Sequence, residues 1–90
     1  MTRKRERVEL IYDILHVVQQ AGGSIKPTHL LYKANLSHDA LKRYVQELIT
    51  SEMLREGEKH GHKAYIITDK GFDFLAKYKQ FQEFSDAFGI

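Results

Sequence analysis

Apolar residues near the start of the chain recur at helical spacing. Val8, Ile11, Leu15 and Val18 fall at i, i+3, i+7 and i+10, and Leu10, Ile14 and Val17 widen the stripe. The segment RERVELIYDILHVVQQA therefore reads as an amphipathic helix, and Gly22-Gly23 ends it. So broad an apolar surface calls for cover on two sides, from its own domain and from a second subunit. After the glycines, SIK is a short extended piece, because Pro27 disfavours helix at Lys26 and suits the first turn of a new helix. That second helix is short, about residues 27–33, with Leu30, Leu31 and Ala34 as its apolar contacts.

The next stretch, ANLSHDALKRYVQELI, reads as a turn, a cap and a two-faced helix. Asn35 adopts a left-handed conformation at low cost, which a tight corner between helices needs. Ser37 is a good N-cap, and Asp39 sits favourably beside the positive end of the helix. Leu41, Val45, Leu48 and Ile49 form the buried stripe with Tyr44 beside it, while His38, Lys42, Arg43 and Gln46 lie on the other face. Asp39 with Arg43 and Arg43 with Glu47 are spaced as i, i+4 pairs, worth about 0.2–0.5 kcal/mol each.

MLREGEKHGHKAYIIT reads as a hairpin whose polar tip, EKHGHK, wants a positive φ at Gly61. TDKGFDFLAKYKQFQEFSDAF is a last helix capped by Thr68. Gly71 costs about 1 kcal/mol inside it, a cost that close packing near the first turn would explain. The order is helix, short strand, helix, helix, hairpin, helix. This is an α+β fold, mainly α, in which a helix-turn-helix is followed by a hairpin wing and an extra C-terminal helix for dimerisation. Residues 1–68 make the winged unit, and residues 69–90 the dimerisation helix of the same compact body.

Composition narrows the function. Ninety residues suffice for one small domain, and 42% hydrophobic with 29% charged is a globular profile. The formal net charge is only +2, so a polyanionic partner would have to be met by clustered rather than total charge. There are no cysteines, which removes disulfides, thiolate metal sites and a Cys nucleophile. No apolar run approaches membrane-spanning length, and MTRKRERVEL lacks the apolar core of a signal peptide, so a cytoplasmic, nucleoid-associated location is expected. Acidic residues are scattered, and no nucleophile stands beside a base in a pocket-forming motif, so no enzyme is expected.

Candidate chemistry gathers in four places. The helix at about residues 37–51 suits the major groove of B-DNA. His38, Lys42 and Gln46 follow one outward line, Arg43 is adjacent and Ser37 caps the start; the alternative is a solvated face of intrahelical ion pairs. On the preceding helix Thr28, His29 and Lys33 are candidate phosphate contacts, and Tyr32 is either half-buried packing or a further contact. At the wing, about residues 57–63, Lys59, His60, His62 and Lys63 surround Gly61 and suit the backbone or minor groove. His60 and His62 also share one side of an extended chain, but zinc wants three or four ligands and no Cys is available, so no metal or other cofactor is expected. RKRER at residues 3–7 is an arm on phosphate or simply the start of the first helix. In the last helix Phe74, Tyr78, Phe81, Ser85 and Phe88 recur like a coiled-coil seam, and Phe84 adds to them. These aromatics form the candidate dimer interface, while Phe72 and Leu75 face the domain.

IKPTHLLYKANLS, ALKRYVQELI and YIITDKGFDFL together resemble a family of small archaeal winged-helix DNA-binding proteins. The family includes the Sulfolobus 10a chromatin-associated proteins and predicted archaeal transcriptional regulators. The resemblance covers about residues 7–78 and implies a winged helix that binds double-stranded DNA. It also implies homodimers joined through the C-terminal helix in an antiparallel coiled coil; here that helix is short. The alternative is a winged-helix protein-interaction module within a larger complex that never touches DNA.

Overall fold

The computed structural model describes residues 7–90. Its elements are α1 (Arg7–Gln20), β1 (Ser24–Ile25), α2 (Pro27–Ala34), α3 (His38–Thr50), β2 (Leu54–Lys59), β3 (His62–Ile67) and α4 (Asp69–Ala87). The order matches the one read from the hydrophobic pattern. The arm at residues 3–6 lies outside the described residues.

Local chemistry sets each boundary. Gly22 and Gly23 take φ of 93° and 98°, and the Gly23 N–H closes on Val18 O at 3.0 Å to end α1. Asn35 is left-handed at φ 55°, ψ 46° and makes the corner between α2 and α3. Ser37 Oγ accepts the Ala40 N–H at 3.1 Å, and Thr68 Oγ1 accepts that of Gly71 at 3.1 Å. Both caps satisfy amides that the helix itself leaves unpaired. The end of α3 was not announced by the sequence, since no glycine follows it. Glu52 is left-handed at φ 65°, and its carbonyl accepts the Thr68 hydroxyl at 2.6 Å, so the end of α3 is tied to the start of α4.

The sheet runs β1-β3-β2, with both pairs antiparallel. Lys59 faces His62 across the tip, and Glu56 faces Tyr65. His60 and Gly61 both have positive φ, 54° and 79°, the signature of a type I′ two-residue turn. The core gathers Ile14, Leu15 and Val18 of α1, Leu30 of α2, Leu41, Val45 and Leu48 of α3, Leu54 and Ile67 of the hairpin and Leu75 of α4. No charged or polar side chain is buried among the described residues.

α4 uses only its first half for this core. Gly71 and Leu75 are buried, and Phe74 packs against the core cluster. Tyr78 stacks on Tyr12 of α1, with ring centroids 4.7 Å apart. From residue 79 on, every residue except Ser85 is exposed. Phe72, expected to face the domain, is instead exposed: one residue past Gly71, it is turned off the buried line of Gly71 and Leu75. No helix among the described residues is long and apolar enough to cross a membrane.

Candidate nucleic-acid interface

α3 turns by about 100° per residue, so its stripes are fixed once Leu41, Val45 and Leu48 are buried. His38, Lys42 and Gln46 then flank the buried stripe on the side of the wing. The structure places them along one cleft of about 420 Å³ between α2, α3 and the hairpin. Thr28 and Leu31 enter it from α2, and Glu56, Lys63 and Tyr65 from the wing. Its floor is apolar, formed by Leu41, Val45 and Ile49. Polar groups from three elements thus meet on one concave face.

Arg43 lies farther round the helix and is exposed. The expected pairs of Arg43 with Asp39 and Glu47 do not form among the described residues. Glu47 pairs with Arg7 of α1 instead, because its position on α3 points back at the first helix. The Arg43 guanidinium lies 5.9 Å from the Tyr44 ring centroid and remains open to a partner. Ser37 is exposed at the head of the helix; its oxygen serves the cap, while its own O–H can still donate.

α2 divides the other candidates. Thr28 faces the cleft, but His29 and Lys33 lie round the helix, lining a separate hollow of about 280 Å³ with His16 of α1. They share a helix with Thr28 and not a surface. Tyr32 stands between the two faces and is 84% exposed. That removes the packing explanation for it and adds a ring and hydroxyl to the outward side of α2.

The wing differs most from expectation. Lys59 does not extend from the tip. Its Nζ donates to Ser24 O at 2.8 Å and Ala21 O at 3.2 Å. The ammonium thereby satisfies a carbonyl just beyond the end of α1, whose last turn carries no basic residue of its own. Lys63 Nζ lies 2.7 Å from Glu56 Oε2 and 5.6 Å from the Tyr65 ring centroid. The hydrogen bond to Glu56 raises the Lys63 ammonium above the ordinary lysine value, with Tyr65 adding to the effect. His60 and His62 are exposed at the tip. Among the described residues no group of three or more metal-ligating side chains comes together.

Glu56 and Tyr65 were missed as site residues. Their signal was present in the hairpin: with a two-residue turn at His60-Gly61, the register places Glu56 opposite Tyr65 and diagonal to Lys63 on one face.

The aromatic set also divides. Phe74 and Tyr78 are engaged within the chain, on the core and on Tyr12. Phe81, Phe84 and Phe88 are 63%, 57% and 69% exposed. They sit at i, i+3 and i+7, the spacing of a helix seam.

Residues 4–86 match the sequence profile of a family described as winged helix-turn-helix. An uncharacterized protein of Methanocaldococcus jannaschii is 29% identical over 77 residues, covering 86% of this chain; the chain spans only 34% of that relative's length. Among solved structures, Sso10a-2, a DNA-binding protein from Sulfolobus solfataricus, superposes with a TM-score of 0.75 at 21% identity, over 93% of this chain and 85% of that one. F93 from STIV, a winged-helix DNA-binding protein, gives 0.76 at 24% identity, over 89% and 92%. MarR from E. coli gives 0.73 at 18%, over 88% and 62%. At these identities the likeness is one of fold.

Proposed function

The chain belongs to the winged helix-turn-helix family, and from that premise we propose that it binds double-stranded DNA as a homodimer, serving as a transcriptional regulator or chromatin-associated protein. The observation that carries this reading is the concave face. Lys42, Gln46 and His38 of α3, Thr28 of α2 and Lys63 of the wing converge there, on the helix that such a fold offers to the major groove. Lys42 and Arg43 suit guanine edges or phosphate, and Gln46 suits adenine. Ser37 and Thr28 suit phosphates beside the groove, and His60 and His62 lie where the wing would meet the backbone. Two structural relatives, Sso10a-2 and F93, are DNA-binding proteins, which supports the same use. Phe81, Phe84 and Phe88 suit a second copy of the chain, which would double these contacts and offset the low net charge.

The test is fluorescence anisotropy on a labelled random-sequence duplex over a series of salt concentrations. Binding that weakens steeply with salt is expected. Lys42→Ala should reduce the log–log slope by about 0.9, the loss of one phosphate contact. Absence of binding at low salt by the folded protein refutes the reading. The exposed aromatics of α4 also suit a different protein within a larger assembly. Sedimentation distinguishes the two: a dimer at micromolar concentration favours self-association, and a monomer that binds no duplex favours the interaction module.

A further inference from the structure

We infer that Glu56 competes with DNA for the wing: its carboxylate holds Lys63 in the cleft and keeps that lysine off the phosphate backbone of non-specific duplex. This rests on the DNA-binding reading and names how the same site limits its grip. Among the described residues Glu56 is the only acid lining the cleft, beside groups that otherwise suit an anionic partner. The hairpin register sets it diagonally across from Lys63 on one face, and the pair closes at 2.7 Å. The Tyr65 ring beneath the ammonium holds Lys63 over the cleft. Lys59 is bound to the corner after α1, so Lys63 is the wing lysine left to face a duplex.

Both partners are more than half exposed, 58% and 54%. Such pairs are weak and exchangeable, so a phosphate held firmly against Lys63 can displace Glu56. A loosely held, non-specific duplex offers no such fixed phosphate, and there the pair persists. At a fitted site the released carboxylate can accept from an exocyclic base amine such as cytosine N4. A repulsive group in an interface raises discrimination by weakening the wrong complex more than the right one.

The experiment compares the full chain with Glu56→Gln, Lys63→Ala and the double variant on one random-sequence duplex, by anisotropy from 50 to 200 mM salt. Glu56→Gln is expected to bind more tightly and to steepen the log–log slope by about 0.9, so that its advantage at the low-salt end exceeds that at the high-salt end about threefold. Placed on top of Lys63→Ala, Glu56→Gln should bring no gain, so that the double variant binds no more tightly, and with no steeper slope, than Lys63→Ala alone. Circular dichroism should show all three folded, since both side chains lie on the surface. An unchanged slope in Glu56→Gln overturns the inference, as does a gain that survives in the double variant. If the parent binds no duplex at any salt, the DNA-binding reading fails and this inference with it.

Discussion

Gly71→Ala tests how α4 is seated. Alanine is the better helix former by about 1 kcal/mol, so helix propensity alone makes this a stabilising change. The structure reverses the sign. A Cβ at residue 71 would lie 2.5 Å from Met53 O and 2.6 Å from Ile67 Cγ1, whereas comfortable carbon contacts lie at about 3.5–4.0 Å. Each neighbour would have to retreat by about 1 Å, judged against that range, and neither is free to do so. Met53 O accepts the Thr68 N–H at 3.1 Å, and Ile67 is a buried strand residue joined to Gly23. Overpacking of this kind costs about 1–3 kcal/mol. A strained Thr68 cap would add about 1 kcal/mol. Set against the propensity gain, the net is a destabilisation of about 1–3 kcal/mol. In a 90-residue chain that corresponds to a fall in Tm of roughly 5–20 °C, at about 4–8 °C per kcal/mol. Thermal unfolding followed by circular dichroism would measure it, at one fixed protein concentration because any self-association would shift Tm. An unchanged or higher Tm would refute the seating of α4 described above.

Three further outcomes are expected. Replacing Phe81, Phe84 and Phe88 together with serine should abolish the proposed self-association in sedimentation while leaving Tm extrapolated to low concentration nearly unchanged, because none of the three enters the core; a dimer that persists in this variant would place the interface elsewhere. Lys59→Met should lower stability by about 1.5–3 kcal/mol, the range for hydrogen bonds to a charged donor, and leave the salt slope of DNA binding as it was; a shallower slope would return Lys59 to the DNA contacts. In Glu56→Gln the Lys63 ammonium, followed by NMR, should titrate at lower pH than in the parent, since its bond to Glu56 is what raises it. The sign is that of a raised folded-state value: the pair's contribution to stability is complete below the ordinary lysine range and is lost as pH rises through the folded value, so it is present at neutral pH.

Much of the fold was legible because its signals are local. The 3.6-residue stripe of α1, the glycines after it, Pro27, Asn35, Ser37 and Thr68 each act through neighbours a few residues away. The helix-turn-helix and the wing followed from that order, and so did the His38, Lys42 and Gln46 line, since helical spacing alone sets those three on one side. What the sequence does not disclose is which partner some long side chains take inside the fold. Helical spacing pairs Arg43 with Glu47, and nothing local to Lys59 or Tyr78 names a partner for them within the chain. Instead Arg7 takes Glu47, carbonyls beyond the end of α1 take Lys59, and Tyr12 takes Tyr78.

The chain's own pattern determined where the helices and strands begin, which faces turn inward and that a polar helix face would be left exposed. Only the tertiary structure decided that Thr28 joins that face while His29 and Lys33 leave it, and that Glu56 stands among the cations. The physical reason is range. Backbone conformation and amphipathic spacing are governed by residues within about one turn of each other. Flexible charged and aromatic side chains instead take whichever partner the packing brings within reach, whatever its distance along the chain.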